Sequence, residues 1–251
     1  MTTEKQPLVF NQEHVKKLED ILLDVSFNYQ LKWHEERNQR TRMIIKSRQI
    51  GATYYFSLEA LLDALITGRN QIFLSPTETQ SLIYRDLILD FAAKAGLEID
   101  ADQLRFANGA TIYFLGEDSE NIGALHGNVY FDEFLWVCGF ADLNKIAKGM
   151  AEHKKYRKTY FSSLSTEIND GYSLFSAEID KSHSALHSGL LFEDGIWRQV
   201  VTAEDAAKEN TLLDIEELRR EFNPKEFSIL YMCKFPEAAT LENSILIEAN
   251  S

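Results

Sequence analysis

Residues 42–53 read RMIIKSRQIGAT, a stretch in which an apolar run is followed by a polar loop. The apolar run at its start predicts a strand, which passes through a short polar loop into a helix that begins near Thr53. The backbone N–H groups at the start of such a helix point the same way, so together they can hold an anion. Gly51 has no side chain and leaves access to these groups open. The stretch therefore predicts a phosphate-binding loop between a strand and a helix.

The loop departs from the usual phosphate-loop pattern, G-x-x-x-x-G-K-[S/T]. Lys46 stands at the first glycine position and Gly51 at the second. Ala52 stands at the lysine position and Thr53 at the hydroxyl position. Thr53 can ligate Mg²⁺, and Lys46 or Arg48 could supply the positive charge that the β and γ phosphates need. The residues alone are equally compatible with an ordinary strand–turn–helix that carries surface bases.

A second segment strengthens the prediction of a nucleotide site. Residues 129–133 read VYFDE, an apolar strand that ends in two carboxylates. In phosphate-loop enzymes an aspartate in this place holds Mg²⁺, and a neighbouring glutamate polarises the attacking water. We therefore expect Asp132 to be a metal carboxylate and Glu133 to be the general base. Because another strand and helix separate this segment from the loop, the combination is more specific than an Asp-Glu pair alone.

Short apolar runs alternate with helical stretches along the chain. The predicted strands are Arg42–Ile45, Gln71–Ser75, Asn128–Phe131 and Lys158–Ser162. The predicted helices between them are Thr53–Leu65, Thr77–Ala95 and Phe140–Ala151. Helices of this length connect neighbouring parallel strands by crossovers, so the pattern predicts an α/β fold with a mainly parallel sheet flanked by helices.

Other segments fall outside this alternation. Residues 13–37 predict one amphipathic helix, and Asn108-Gly109 within 104–115 predicts a β-hairpin closed by a type I′ turn. Near the C-terminus, Leu213–Phe222 predicts a helix and Phe227–Phe235 a strand. We expect a single domain, 1–251, whose N-terminal helical segment, core and closing segment or small lid span 1–40, 41–200 and 201–251.

The composition indicates a globular chain. Its 251 residues, 45% of them hydrophobic, can bury one large core. No apolar run approaches the roughly 18 residues of a membrane span, and no secretion signal is visible, so we expect a cytoplasmic protein whose Cys138 and Cys233 are buried thiols. The net charge of −13 describes the long-range field. It leaves a nucleic-acid partner open, because basic residues cluster at 37–42 and 154–158.

Several segments together resemble one family, the large subunit of tailed-phage terminases. KSRQIGAT (46–53) is similar to that family's deviant Walker A, and Tyr29-Gln30 to its adenine-binding motif. Asp132-Glu133-Phe134 resembles the end of its Walker B, SSLST (162–166) its coupling motif, and Glu226–Phe235 the end of its ATPase domain. The resemblance covers about residues 29–236 and is strongest to contractile-tailed phages that cut cohesive ends.

This resemblance implies a P-loop NTPase fold of the ASCE or RecA-like class, with ATP and Mg²⁺ as ligand and cofactor. The residues implied to bind ATP are Gln30, Lys46, Ser47, Arg48, Gln49, Ile50, Gly51, Ala52 and Thr53. The other implied roles are adenine reading by Gln30, metal binding by Thr53 and Asp132, catalysis by Glu133, and coupling by Ser165 and Thr166.

The implied function is ATP hydrolysis that powers translocation of double-stranded viral DNA into a procapsid. The implied partners are double-stranded DNA, the small terminase subunit and the portal protein, on which the family forms a homo-oligomeric ring. A monomer in isolation is left open, and no membrane is expected. The implied location is the cytoplasm of a bacterial host, with a phage or prophage origin. Members usually continue into an RNase H-like nuclease domain, which we expect to be absent here.

Two alternatives remain open. A helicase-like translocase outside packaging would share the ATP site, and a non-catalytic nucleotide-binding assembly module would explain Ala52. The family also often carries Arg-Gly shortly before Walker B, where this chain has His126-Gly127, so no arginine finger is assigned. His183 and His187 have zinc-compatible spacing but no third ligand, so we expect surface histidines.

Overall fold

The computed structural model describes residues 7–97, 104–119, 122–176, 186–209 and 213–236. Its strands are β1 Thr41–Lys46, β2 Gln71–Ser75, β3 Leu104–Arg105, β4 Thr111–Gly116, β5 Asn128–Asp132, β6 Lys158–Ser162, β7 Leu190–Leu191 and β8 Ile196–Val201. Its α-helices are α1 Gln12–Val25, α2 Asn28–Glu35, α3 Ala52–Thr67, α4 Glu78–Ala95, α5 Phe140–Met150, α6 Ser173–Ser176, α7 Ala203–Ala207, α8 Ile215–Glu221 and α9 Pro224–Leu230.

All eight strands form one sheet in the order β3-β4-β2-β5-β6-β1-β8-β7. The strands from β4 to β8 in this order pair in parallel, and the short strands β3 and β7 add antiparallel edges. The predicted α/β fold with a mainly parallel sheet is confirmed. All four predicted strands and the three predicted crossover helices are present, each within a residue or two of its predicted ends.

The core lies on both faces of the sheet. Along β1, Ile44 belongs to the cluster beneath α1 to α4, whereas Met43 and Ile45 belong to the opposite cluster beneath α5. Because successive side chains of a strand point to opposite faces, a strand covered on both sides is apolar at both sets of positions. This two-sided burial fixes the sheet and leaves the strand ends for polar side chains.

The predicted helix at 13–37 is wrong in one respect, because the segment forms two helices, α1 and α2. The chain turns at Ser26 and Phe27, both in extended conformation. Gln30 accepts a hydrogen bond from the Phe27 N–H through its Oε1 at 3.1 Å, which satisfies a donor at the start of the second helix. The break turns Tyr29 and Gln30 toward the loop after β1.

The predicted hairpin at 104–115 is present, but its turn differs from the prediction. Phe106 and Ala110 close a loop of residues 107–109, with the Phe106 N–H donating to the Ala110 carbonyl at 2.8 Å. Gly109 has φ of 92° and, of the two residues Asn108 and Gly109, only the glycine has positive φ. A type I′ turn needs positive φ at both, so this is instead a three-residue loop that ends in a left-handed glycine.

The closing segment was predicted partly wrongly. The helix expected at Leu213–Phe222 is present as α8, but α9 (Pro224–Leu230) occupies the start of Phe227–Phe235, where a strand was expected. Asn223 caps this helix by accepting from the Glu226 N–H at 2.9 Å, and Pro224 occupies its first turn. A capping residue followed by proline is a helix-start signal that outweighs the aromatic content of the segment.

Strand β8 was not predicted from the sequence. Its middle carries Arg198 and Gln199, both buried, which interrupt the apolar pattern of a central strand. Each makes a contact that offsets part of the cost of its burial. The Arg198 guanidinium contacts Asp194 at 2.7 Å, and Gln199 accepts from the indole N–H of Trp33 at 2.6 Å. Tertiary partners therefore allow a polar strand in the interior of the sheet.

The basic clusters and cysteines are only partly as expected. Within the cluster at 37–42, Arg42 is buried and its guanidinium contacts Glu59 at 2.5 Å. Within the cluster at 154–158, Arg157 is buried against Asp63. Cys233 is buried as predicted, whereas Cys138 is exposed, contrary to expectation. Among the described helices, none is long and apolar enough to cross a membrane.

Candidate nucleotide site

The loop at 47–51 joins β1 to α3, as the sequence predicted, and so lies at the carboxyl edge of the sheet. Gly51 precedes α3 with φ of 74°, and no side chain caps the helix. Within the described part of the chain, the N–H groups of Gly51, Ala52 and Thr53 donate to no acceptor. α3 is a long helix whose first N–H groups and dipole favour negative charge, so this end can accept a phosphate.

Tyr29 and Gln30 of α2 form hydrogen bonds with the end of the loop. The Tyr29 hydroxyl donates to the Ile50 carbonyl at 2.8 Å, and the Gln30 Nε2 donates to the carbonyls of Ile50 at 3.3 Å and Gly51 at 3.1 Å. Gln30 is buried, and its Oε1 is already taken by the Phe27 N–H. In this structure the Nε2 end of the Gln30 carboxamide supports the phosphate loop, and its oxygen end caps the start of α2.

The rest of the loop is tied to the other side of the sheet. The Ser47 N–H donates to the Val201 carbonyl at 2.8 Å, and the Arg48 N–H donates to the Leu230 carbonyl at 3.4 Å. Gln49 has φ of 58° and its side chain is exposed. These contacts occupy the N–H groups of the first two residues of the loop, so the N–H groups that can meet a ligand lie farther along, toward α3.

Lys46 and Glu133 form an ion pair at the centre of the site. The Lys46 Nζ lies 2.7 Å from Glu133 Oε1, and the two side chains are 8% and 17% exposed. Burial disfavours the charge on Lys46, but the carboxylates of Glu133 and Asp132 outweigh it and raise the lysine pKa. Burial also opposes the charge on Glu133, yet Lys46 and the donors of Ser163 lower the pKa of this carboxyl. Both groups are therefore charged at neutral pH.

The second oxygen of Glu133 is bound by the end of β6. Glu133 Oε2 accepts from the Ser163 N–H at 2.8 Å, the Ser163 hydroxyl at 2.9 Å and the Ser162 hydroxyl at 3.1 Å. Glu133 itself has φ of 46°, a left-handed conformation that is uncommon for a residue with a side chain. Such strain persists where surrounding contacts fix it, and it turns this carboxylate toward the site.

The predicted coupling residues, Ser165 and Thr166, lie beyond this contact. Ser165 is buried and exchanges backbone hydrogen bonds with the Tyr172 hydroxyl, at 2.8 Å and 2.5 Å. Thr166 is exposed. The serines that touch Glu133 are Ser162 and Ser163, which the sequence analysis did not select. Only the register of β5 against β6 identifies them, because Asp132 lies opposite Phe161 and the next residues of both strands therefore meet.

Asp132 ends β5 beside the start of α3. It is buried, and its Oδ2 accepts from the Gln80 side-chain amide at 3.3 Å. Burial and the neighbouring Glu133 carboxylate raise the pKa of Asp132. The Tyr84 hydroxyl lies beside both Asp132 and Thr53, which places the two predicted metal ligands around one point. A hydroxyl and a carboxylate are hard oxygen donors of the kind that Mg²⁺ prefers, so the residues fit this ion.

Arg48, in the loop after β1, lies beside Trp136. Its guanidinium stacks over the Trp136 ring at 4.8 Å. The indole N–H of Trp136 donates to the Ser163 carbonyl at 3.2 Å and hydroxyl at 3.1 Å. Lys46, not Arg48, is therefore the cation that contacts the carboxylates in this structure. Trp136 was not singled out in the sequence.

The remaining sequence candidates have structural explanations. Tyr55 and Phe56, which follow the loop in α3, are buried in the core. The ring of His187 contacts Asp205 at 2.6 Å. His183 lies outside the described residues.

The matched family profile has the description "Terminase large subunit, T4likevirus-type, N-terminal" and aligns with residues 43–244. The chain belongs to this terminase family. It is 45% identical over 243 residues to "Terminase, ATPase subunit" of Escherichia phage P2, covering 90% of this chain and 41% of the relative. It is 37% identical over 227 residues to "Probable terminase, ATPase subunit" of Haemophilus phage HP1, covering 84% and 37%. The chain thus spans about two fifths of the length of these terminase subunits.

Solved terminase structures share the fold. The ATPase domain of the Thermus phage P74-26 large terminase superposes with a TM-score of 0.64 at 17% identity, covering 86% of this chain and 96% of that one. The P-loop architecture predicted from the resemblance is therefore confirmed at the level of the fold, although the sequences have diverged widely.

Proposed function

We propose that this chain hydrolyses ATP at the carboxyl edge of its sheet. The observation that carries the proposal is the buried pair of Lys46 and Glu133, 2.7 Å apart, beside the open N-terminus of α3. A phosphate bound at that N-terminus would meet the lysine on one side and Asp132 on the other. An ordinary strand–turn–helix would not require two buried, oppositely charged groups at this place.

The phosphates would be bound by backbone and lysine together. The N–H groups of Gly51, Ala52 and Thr53 would hold phosphate oxygens, and Lys46 would neutralise their charge. Thr53 and Asp132 would hold Mg²⁺, which withdraws charge from the transferred phosphoryl group. Among the described residues no group of three or more His, Cys, Asp or Glu side chains could hold a metal unaided. Mg²⁺ commonly needs few protein ligands, because phosphate and water supply the rest.

Glu133 would act as the general base. Its lowered pKa keeps it a carboxylate at neutral pH. Lys46 and Ser163 hold it by both oxygens, so its direction is fixed before a nucleotide arrives. Water would attack the γ-phosphorus in line, ADP would leave, and the proton of the water would pass to Glu133. Because Lys46 is shared between base and phosphate, the nucleotide would loosen one of the two contacts that hold this base.

We further propose that hydrolysis moves double-stranded viral DNA into a procapsid. Family membership and the relative in Escherichia phage P2, named an ATPase subunit, support this role. The proposed partners are DNA, a small terminase subunit and a portal protein on which copies of the chain form a ring in the host cytoplasm. Adenine reading by Gln30 and coupling by Ser165 and Thr166 belong to the same proposal.

Steady-state ATP hydrolysis, with and without linear double-stranded DNA, tests the proposal. Glu133→Gln and Lys46→Ala should each lower the rate at least a hundredfold, since removal of a single group that stabilises the transition state costs this much. Glu152→Gln and Lys145→Ala, both exposed, are the matched controls and should hydrolyse ATP like the wild type. Normal hydrolysis by Lys46→Ala would show that the phosphate site is assigned wrongly. Stimulation by DNA would support the packaging role.

A further inference from the structure

The side of the site opposite Glu133 contains two buried hydroxyls with no partner. In the described part of the chain, four buried side-chain polar atoms make no hydrogen bond, and two of them are Ser75 Oγ and Tyr84 Oη. Both side chains are 0% exposed. Buried polar groups without a partner are rare in folded proteins, because each loses its hydration without compensation. Two of them at one edge of the sheet require an explanation.

Ser75 lies at the end of β2, next to Asp132. In the parallel pairing of β2 with β5, Leu74 lies opposite Phe131, so the residues that follow stand side by side. Leu74 and Phe131 both belong to the cluster beneath α5. Because side chains alternate along a strand, Ser75 and Asp132 face the opposite side, beneath α3 and α4.

Tyr84 approaches the same point from α4. Its ring stacks on Phe73 at 4.2 Å between centroids, which fixes its direction. Its hydroxyl lies beside Asp132 and Thr53 without reaching hydrogen-bond geometry with either. Gln80 stands one helical turn earlier on the same face, and its Nε2 donates to Asp132 Oδ2 at 3.3 Å. One face of α4 thus carries a donor already bound to Asp132 and a hydroxyl that is still unbound.

The unpartnered hydroxyls fit the surroundings of a hydrated cation. Mg²⁺ dehydrates reluctantly and keeps several water ligands when it binds a protein. Those waters need hydrogen-bond partners beyond the ion, and such outer partners orient the ligands of a metal site. Ser75 and Tyr84 can each donate and accept. A water held between the ion and these hydroxyls would satisfy groups that the protein alone leaves unsatisfied.

We propose that Ser75, Gln80 and Tyr84 are positioning residues of the magnesium site. Gln80 fixes one oxygen of Asp132, which leaves the other for the ion, and the two hydroxyls bond its water ligands. The inference rests on the proposed ATP site, and it extends that site from the phosphate loop and Walker B to the face of α4. None of the three residues is assigned a direct bond to the metal or the phosphates.

Thermal unfolding tests this role without reference to turnover. Wild type, Tyr84→Phe and Ser75→Ala are unfolded alone, with ATPγS and EDTA, and with ATPγS over a Mg²⁺ titration. Tyr113→Phe, a partly buried tyrosine on β4, is the matched control. Removal of an unpaired buried hydroxyl should leave the Tm of the free protein unchanged or higher. The Mg²⁺ concentration that gives half of the metal-dependent rise in Tm should increase about tenfold, as for other outer partners of a metal.

The Tm of the free protein and the Mg²⁺ midpoint together distinguish a role at the magnesium site from a purely structural role. A purely structural role would lower the Tm of the free variants and leave the Mg²⁺ midpoint unchanged, and this result would overturn the proposal. An unchanged Mg²⁺ midpoint in both variants with unaltered Tm would overturn it equally. If ATPγS does not raise the Tm of the wild type, either with EDTA or with Mg²⁺, then the proposed nucleotide site is wrong and the inference is wrong with it. Gln80→Leu should raise the Mg²⁺ midpoint in the same direction and give an independent check.

Discussion

Replacement of Lys46 by methionine should separate the two consequences of the buried ion pair. The substitution keeps most of the side-chain volume and leaves Glu133 as a buried carboxylate without its cation. Loss of one partner of a buried pair usually costs 3–5 kcal/mol. Glu133 retains three hydrogen bonds from Ser162 and Ser163 and is 17% exposed, so we expect a cost of about 2–3 kcal/mol in the free energy of unfolding, below the usual range.

The double variant Lys46→Met/Glu133→Gln should recover part of this loss. A neutral amide at position 133 has no charge to leave unpaired, so the double variant should be more stable than Lys46→Met by about 1–2 kcal/mol, a coupling typical of residues in direct contact. Both variants should nevertheless fail to hydrolyse ATP, because one lacks the phosphate cation and the other lacks the base as well. Along this series stability would fall and then partly recover, whereas activity would be lost at the first step and stay lost.

Urea unfolding followed by far-ultraviolet circular dichroism gives the three free energies, and a coupled assay gives the rates. Equal slopes against urea are needed for the comparison, since a changed slope would mean a changed unfolded state. The reasoning is refuted if Lys46→Met is as stable as the wild type, because Glu133 would then not depend on the lysine. It is also refuted if the double variant is no more stable than Lys46→Met.

Three further predictions concern other contacts of the site and its scaffold. Glu59→Gln should destabilise the protein by about 3 kcal/mol, because Arg42 would remain buried without its carboxylate; urea unfolding measures this, and an unchanged midpoint would contradict it. Burial opposes ionisation of Asp205, but its hydrogen bonds lower its pKa to about 2. The ionised carboxylate therefore stabilises the fold fully above its unfolded pKa near 4, and this stabilisation is lost as the pH falls through 2. Asp205→Asn should therefore lower the Tm at pH 7 and reduce the loss of Tm between pH 4 and 2; equal acid profiles would exclude this. Gly51→Ala should weaken nucleotide binding at least fivefold in a fluorescence titration. Gly51 has φ of 74°, and the new Cβ would lie 3.0 Å from Gln30 Nε2. Wild-type affinity in this variant would show that the loop tolerates the change.

Much of the fold could be predicted from sequence because the central strands are covered on both faces. The runs at 71–75, 128–131 and 158–162 are apolar or shielded along their length, and the helices between them are long enough for parallel crossovers. The sequence pattern did not predict the structure at positions where a tertiary contact, and not a local signal, determines the conformation. β8 contains the buried Gln199, whose partner Trp33 is distant in sequence and has to be placed before the strand is recognisable. The predicted type of the turn at Asn108 was wrong for a similar reason, since the Asn108 side-chain amide donates to the Ala64 and Leu65 carbonyls at the end of α3.

The candidate site was predictable in composition but not in contacts. The order of motifs along the chain identified Lys46, Asp132 and Glu133, and the structure brings these three together. It could not show which serines of 162–166 reach Glu133, because that depends on the register of two strands. Nor could a motif select Tyr84, whose side chain matters only because its hydroxyl is buried without a partner beside Asp132.

The displaced lysine has a physical reason in the order of the strands. β1 and β5 are not neighbours, because β6 lies between them, so Lys46 reaches Glu133 across the end of β6. Adjacent strands lie about 4.8 Å apart, and two extended side chains can span roughly twice that distance. Ala52, by contrast, belongs to the apolar cluster beneath α3 and is 5% exposed, so a lysine there would place its stem among core residues. A cation at the strand end is therefore the arrangement that this packing permits, and it ties the phosphate loop directly to the base.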